Sequence, residues 1–208
     1  AYGAFFHMCP ELRPLLSGLP RADSLTLDPH KGLFMPYGIG ALLVRDGQWL
    51  RNAHSMSAGY LPDTPDPDEF YDPSQYGPEL SRGFPGLRVW LCVKLFGAAR
   101  FRAALAEKRA LAVQAADRIS RLPGVVMVAP PQLSRFAFYL TWAGASLEHE
   151  NAATKALLER VSARGRVMIT GCSVGERYLA RVCVLSFRSR QAQIDAWYVS
   201  TFGGSYNY

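Results

Sequence analysis

The most chemically informative stretch of this 208-residue sequence is Asp-Pro-His-Lys-Gly at residues 28–32. Short apolar runs flank it at residues 25–27 and 39–44, and the prolines and glycines between them predict a strand, a loop without regular structure and a second strand. Lys31 is therefore expected where a strand passes into a loop, among apolar neighbours. Desolvation and an imidazolium at His30 would both favour a neutral amine, the form that Schiff-base chemistry needs. The alternative, a lysine in an ordinary surface loop, is the more common situation for this residue type.

The elements that must position Lys31 alternate between helices and strands, which predicts the α/β fold class. In residues 1–97 the pattern predicts helices at 10–16, 48–53 and 85–96 around the two strands, with Trp90 of the last helix in the core. Residues 98–200 are expected to form a small α+β domain, and residues 201–208 a frayed tail. The elements expected in the small domain are a helix at 98–121, strands at 125–129, 136–141, 167–170 and 178–185, a helix at 151–164 and a last helix from about 191.

Residues 55–83 have a different character, because they are rich in proline and acidic residues and show no periodicity. A segment of this length inside a folded protein is typical of a mobile loop that covers a site, and a solvated linker is the alternative. The tyrosines at positions 60, 71 and 76 favour the covering loop, since they would bring aromatic hydroxyl groups over a site.

Composition excludes several function classes. The net charge is +6, but no run of lysine and arginine appears, so the sequence does not predict a nucleic-acid-binding protein; the excess charge can attract anionic ligands. No apolar run is long enough to span a membrane. The four cysteines lack the paired spacing of a zinc site or a disulfide framework, and no metal is expected; reduced, mostly buried thiols suit a cytoplasmic protein.

The residues around Lys31 resemble those of a known family. Residues 28–32, followed by Tyr-Gly-Ile-Gly-Ala-Leu-Leu-Val-Arg at 37–45, resemble the cofactor-lysine region of the group II amino-acid decarboxylases, the family of the aromatic L-amino-acid decarboxylases. The resemblance implies pyridoxal 5'-phosphate as cofactor, with Lys31 as its Schiff-base lysine. It also implies fold type I, the aspartate aminotransferase-like fold, with residues 1–97 as the C-terminal part of the large domain and residues 98–200 as the small C-terminal domain.

The same resemblance assigns roles to other residues. Tyr60, in Ala-Gly-Tyr-Leu at 58–61, matches the family's loop tyrosine, which protonates the substrate α-carbon; family members with phenylalanine there tend to form aldehydes. His30 is expected to contact the cofactor phosphate or tune Lys31, although a histidine satisfied by the backbone is nearly as plausible. Asp28 is expected to approach the phosphate only through its backbone or a water, because like charges repel. Arg181 matches a family arginine near the loop.

The resemblance implies decarboxylation of an L-amino acid, expected to be aromatic, to its amine by a homodimer with a shared active site. The family's pyridine-pairing aspartate and ring-stacking histidine are expected upstream of Ala1, so this chain by itself is expected to bind the cofactor weakly and to be inactive. Two alternatives stay open: other chemistry on the same fold, such as aldehyde synthesis or transamination, and a non-catalytic fragment.

Overall fold

The computed structural model describes residues 1–55 and 71–203, and the chain divides into two units. The first unit contains Ala1–His7 and Arg13–Ala98, and the second contains Met8–Leu12 and Ala99–Tyr208. The division after Ala98 lies next to the expected boundary, but the short segment Met8–Leu12 belongs with the second unit.

The first unit is built around a pair of antiparallel strands. Ser24 lies opposite Val44 and Leu27 opposite Ala41, so the segment that contains Lys31 connects the two strands. Residues 10–16 form a 3-10 helix, with Pro14 inside it. The elements up to the end of this unit are 3-10 helices at Ala4–Met8, Pro10–Leu16, Leu19–Arg21 and Pro73–Tyr76, strands β1 (Ser24–Leu27) and β2 (Ala41–Val44), and helices α1 (Pro29–Gly32), α2 (Gly47–His54) and α3 (Gly86–Phe96).

The second unit is a four-stranded antiparallel sheet with three helices. Its elements are α4 (Ala98–Ser120), β3 (Val125–Met127), β4 (Arg135–Leu140), α5 (Leu147–Ala163), β5 (Thr170–Val174), β6 (Arg177–Cys183) and α6 (Gln191–Phe202). The strand order is β3-β4-β6-β5. Ser146 begins α5 as its N-cap, accepting a hydrogen bond from the His149 amide at 3.3 Å. This mixture of helices and sheets agrees with the predicted α/β class.

The core of the second unit lies between the helices and one face of the sheet. Alternate residues of β4 are buried, as expected for a strand with one covered face. The side chains that fill this core include Leu111, Ala115 and Ile119 of α4, Leu157 and Val161 of α5, Trp197 and Phe202 of α6, and Phe136, Phe138 and Val182 of the sheet.

The strand predicted at residues 167–170 was misplaced, because the structure has β5 at Thr170–Val174. Apolar residues suggested the earlier start, but Met168 is 83% exposed. The pairing of Val174 with Arg177 defines a two-residue hairpin turn, and Gly175 takes a φ of +57° there. The dipeptide Gly175-Glu176 was therefore the local signal for this hairpin.

The prediction of a frayed tail from residue 201 was also wrong for its first two residues. Thr201 and Phe202 belong to α6 and are each 7% exposed, and the Thr201 hydroxyl donates a hydrogen bond to the Trp197 carbonyl at 2.7 Å. Phe202 packs against Phe138 with 6.1 Å between ring centroids. The rest of the predicted tail, residues 204–208, lies outside the described residues.

Two further sequence expectations concern the membrane and the thiols. In residues 1–55 and 71–203 no helix combines the length and the apolar character that a membrane span requires. The expectation of mostly buried thiols was wrong, because among the four cysteines Cys9 alone is buried, while Cys183 is exposed.

Candidate active site around Lys31

Lys31 lies on a single helical turn, α1. The Asp28 carbonyl accepts hydrogen bonds from the amides of Lys31 at 2.8 Å and Gly32 at 3.1 Å, which closes the turn. Pro29 occupies the first helical position, where its missing N–H costs nothing and its fixed φ suits a helix. The prediction of a loop without regular structure was therefore wrong here, since a proline at this position starts a helical turn.

The amine of Lys31 is paired with a carboxylate and open to solvent. Its Nζ donates a hydrogen bond to Oδ2 of Asp28, and the Lys31 side chain is 44% exposed while that of Asp28 is 19% exposed. The expectation of a desolvated lysine among apolar neighbours was wrong for this chain, because the helical turn directs the side chain to the surface. The hydrogen bond from Lys31, with the positive charges of Lys31 and His30 nearby, lowers the pKa of Asp28 below its ordinary value.

His30 is held by the backbone. Its Nδ1 lies 2.7 Å from the carbonyl oxygen of Ile39, and because a carbonyl only accepts, Nδ1 must carry the hydrogen. The other ring nitrogen, Nε2, lies 4.0 Å from Oδ2 of Asp28. The ring also meets the edge of Tyr37, with centroids 4.9 Å apart. Of the two possibilities that the sequence left open for His30, the structure contains the backbone contact; a contact with the cofactor phosphate stays a prediction.

The first residues of the chain pack against the lysine turn. The Ala1 carbonyl accepts a hydrogen bond from the Asp28 amide at 3.1 Å, so the Asp28 backbone donor that was expected to approach a phosphate is engaged here. A Cβ on Gly32 would lie 2.7 Å from Cδ2 and 2.9 Å from Cβ of Phe5. Gly32 is thus required by the close approach of a phenylalanine, a constraint that was not predicted from the sequence.

A cleft of about 570 Å³ adjoins this turn at Pro29 and runs between β2 and α3. Its walls are mainly apolar and include Phe5, Ile39 and Trp90, with Lys94 as the cationic residue of its lining. Trp90 is 57% exposed and carries the Lys94 ammonium 5.8 Å from its ring centroid. The prediction that Trp90 belongs to the core was wrong for this chain, because α3 has no buried residue.

Tyr60 lies outside the described residues, as does all of 56–70. Part of the segment predicted as a covering loop, residues 71–83, is described, and its expected mobility stays a prediction. Residues 73–76 form a 3-10 helix with Gln75 buried, and the rings of Tyr71 and Tyr76 stack with centroids 4.8 Å apart.

Arg181 belongs to the second unit and lies on β6. Its Nε and one terminal nitrogen donate hydrogen bonds to the Thr170 hydroxyl on β5, at 3.2 and 3.1 Å. It lines a cleft of about 240 Å³ together with Arg135 and Phe136. A pairing between Arg181 and the Tyr60 segment stays a prediction.

The side chains of the lysine turn suit a carbonyl cofactor better than a metal ion. A solvent-accessible primary amine can attack an aldehyde, so Lys31 fits covalent attachment of pyridoxal phosphate. Within the described ranges, no group of three or more histidine, cysteine or acidic side chains could hold a metal ion.

Comparisons with known proteins agree with this chemistry. A family model described as the pyridoxal-dependent decarboxylase conserved domain matches residues 1–141. The aromatic-L-amino-acid decarboxylase of Bacillus atrophaeus is 35% identical over 191 residues, which cover 91% of this chain and 40% of that relative. The chain therefore spans less than half the length of this relative.

Two solved structures share the fold. The crystal structure of Oryza sativa TDC with PLP and tryptamine matches 96% of this chain and 42% of that chain, with a TM-score of 0.87 and 25% identity. The crystal structure of Rhodiola rosea 4-hydroxyphenylacetaldehyde synthase matches 96% of this chain and 40% of that chain, with a TM-score of 0.84 and 20% identity. These matches confirm the prediction of fold type I.

Proposed function

Because the chain belongs to the family of pyridoxal-dependent decarboxylases, we propose that it is part of an enzyme that removes the carboxylate of an aromatic L-amino acid as carbon dioxide and releases the amine. The observation that carries the proposal is the accessible amine of Lys31 on a hydrogen-bonded helical turn, in contact with Asp28. The aromatic substrate class is supported by the similarity to the Bacillus atrophaeus decarboxylase and by tryptamine in the Oryza sativa structure.

Lys31 and Asp28 would have different roles in holding the cofactor. When bound, pyridoxal phosphate supplies an electron sink for the bond that breaks at the substrate α-carbon. Lys31 would hold it through the side-chain amine, which must first lose a proton to become a nucleophile. Asp28 orients that amine, but its lowered pKa makes it a poor proton acceptor, so the proton leaves to the solvent that reaches Lys31.

Tyr60 is proposed as the donor of the proton that replaces carbon dioxide on the α-carbon. The support is its match to the family's loop tyrosine, since a phenolic hydroxyl is a neutral proton donor near pH 7. Phenylalanine at this position would leave the α-carbon without its donor. Molecular oxygen could then react there, and the overall products would be aldehyde, carbon dioxide, ammonia and hydrogen peroxide from the amino acid, oxygen and water.

The proposal is tested by measuring amine and hydrogen peroxide together in the full-length enzyme supplied with L-tryptophan. The wild type is expected to form amine and carbon dioxide in equal amounts with little peroxide. Tyr60→Phe is expected to lower amine formation by about 100-fold or more, at the lower end of what a positioned proton donor contributes, and to raise the peroxide share. Cofactor binding should be unchanged because Lys31 is intact.

Other products would identify the alternatives. Stoichiometric peroxide from the wild type would make the enzyme an aldehyde synthase, and a keto acid without carbon dioxide would make it a transaminase. The likeness to the Rhodiola rosea synthase does not favour the first alternative, because at 20% identity it concerns the fold alone.

We also propose that the enzyme is a homodimer with a shared active site. The support from this chain is the surface of α3, where large apolar side chains are exposed at 46–68%. Exposed apolar patches of this kind mark surfaces that another protein covers. The residues of this apolar face are Leu87, Trp90, Leu91 and Leu95, each of which lies three or four positions from another.

A further inference from the structure

We propose that Phe5 is a positioning residue for Lys31, because its side chain packs directly against the residue that follows this lysine. The inference rests on the proposed role of Lys31. A Cβ built on Gly32 would lie 2.7 Å from Cδ2, 2.9 Å from Cβ and 3.1 Å from Cγ of Phe5. The phenylalanine therefore limits how far this end of the α1 turn can move towards it.

The other end of the turn is held by the same part of the chain. The Asp28 amide donates a hydrogen bond to the Ala1 carbonyl at 3.1 Å. Residues 1–5 thus contact the turn before Lys31, at Asp28, and after it, at Gly32. Because Asp28 is fixed in this way, a displacement of Gly32 distorts the turn instead of moving it as a whole.

Burial keeps Phe5 and the turn in place. Phe5 belongs to the 3-10 helix Ala4–Met8, in which its neighbour Phe6 is 0% exposed. On the side of the turn, Leu33 is buried and its amide donates a hydrogen bond to the Pro29 carbonyl at 3.1 Å. Movement of either element opens a cavity or breaks a backbone hydrogen bond, and both changes cost free energy.

The packing has a consequence for the amine of Lys31. Gly32 is buried, whereas the Lys31 side chain is 44% exposed and donates a hydrogen bond from Nζ to Oδ2 of Asp28. A distorted turn changes the direction in which Lys31 leaves the backbone and loosens this hydrogen bond. A reacting group misplaced by about 1 Å can lose about 100-fold in rate. Phe5 thus acts on attachment of the cofactor through Lys31.

The test measures how fast formaldehyde with cyanoborohydride methylates Lys31 in the cofactor-free, full-length enzyme, with peptide mapping to identify the lysine. Gly32→Ala, which overlaps the phenylalanine, and Phe5→Gly, which removes it, are each expected to speed methylation of Lys31 about two- to tenfold, the effect of one lost hydrogen bond. The methylation rate of Lys155 on α5 in the second unit is the internal reference and should stay unchanged.

The double variant separates positioning from a general loss of stability. With Phe5→Gly and Gly32→Ala together, the added Cβ meets none of the three Phe5 atoms and fills part of the space that the ring leaves. Lys31 should then react more slowly than in either single variant, because the two changes compensate each other. Phe5→Leu, which keeps carbon atoms beside Gly32, should retain the wild-type rate. Gly83→Ala is the matched control, since its Cβ would enter open space.

Several results would overturn the inference. These are a wild-type rate at Lys31 in Gly32→Ala, or single-variant increases that multiply in the double variant. If Gly32→Ala does not fold, equal rates in Phe5→Gly and Phe5→Leu would overturn it.

Borohydride reduction after loading with pyridoxal phosphate tests the proposed function separately. Lys31 is expected to take up the pyridoxyl group, more slowly in Gly32→Ala than in the wild type. A wild-type enzyme without this group on Lys31 would contradict the proposed role of the lysine, and the methylation rates would still decide about Phe5.

Discussion

Asp28 is the immediate chemical partner of Lys31, and this contact controls how the amine can react. A carbonyl compound that attaches to Lys31 leaves its nitrogen with at most one N–H, so attachment changes the ammonium-carboxylate contact with Asp28. His30 does not compete for the amine, since its Nδ1 is bound to the Ile39 carbonyl. The turn therefore presents one reactive nitrogen with a defined neighbour.

The packing of Phe5 on Gly32 gives a prediction at this scale. Gly32→Ala should reduce the free energy of unfolding by about 1–3 kcal/mol, the usual cost of overpacking, because its Cβ would overlap the Phe5 side chain. Urea unfolding of the full-length enzyme measures the difference. Gly83→Ala is the control, since a Cβ there meets nothing within 4 Å. Equal stability of the two variants would show that Phe5 moves away freely.

Residue types and spacing pointed to Lys31, and the family resemblance added His30 and Asp28, but neither predicted their contacts. The roles of these residues toward the cofactor stay predictions. The helical turn was missed although Pro29 at its first position is a local signal for it. The exposure of Lys31 and the contact between His30 and Ile39 were missed because they depend on how separate segments pack.

At the scale of elements, α5 is joined to the sheet by a carboxylate. Glu150 accepts hydrogen bonds from the Thr141 hydroxyl and from the Arg177 guanidinium, the latter at 2.5 Å. Both contacts lower the pKa of Glu150, and the bond from Thr141 makes the larger contribution. The Arg177 guanidinium also lies 4.0 Å from the centroid of the Tyr139 ring. The helix, β4 and β6 are thereby connected through one ionised group.

This network predicts a pH dependence. The folded-state pKa of Glu150 lies below the unfolded value of about 4.3, so its ionised form stabilises the fold above that pH, and this contribution is lost as the pH falls through the lowered pKa. The stability difference between wild type and Glu150→Gln should thus be constant from pH 7 to about 5 and shrink at lower pH. Glu159→Gln, which removes an exposed carboxylate of the same helix, is the control. A difference that grows on acidification would contradict the network.

The sequence pattern predicted the position of long elements well and that of short elements poorly. The 23-residue helix α4 begins where it was predicted, because its apolar positions recur over many turns. The five-residue strand β5 was misplaced, since Gly171, Cys172 and Ser173 carry little strand preference and pairing with β6 decides their conformation.

At the scale of the whole molecule, the exposed apolar face of α3 leads to a prediction about assembly. The full-length enzyme should have the mass of two copies by light scattering, and Leu91→Glu should shift it to one copy, because a charge buried in an apolar interface is costly. Val113→Glu places the same charge on an exposed valine of α4 and should leave two copies. A Leu91→Glu enzyme that stays dimeric would show that α3 is covered by something other than a second copy.

The assignment of Lys31 is tested most directly by borohydride reduction of the full-length enzyme loaded with pyridoxal phosphate, followed by peptide mapping. The pyridoxyl group is expected on Lys31. Lys94 is the strongest competitor because it lines the apolar cleft, whereas Lys108 is fully buried with its amine bonded to the Ser189 carbonyl at 2.5 Å. A pyridoxyl group on Lys94, with Lys31 unmodified, would contradict the assignment of the cofactor lysine to the turn.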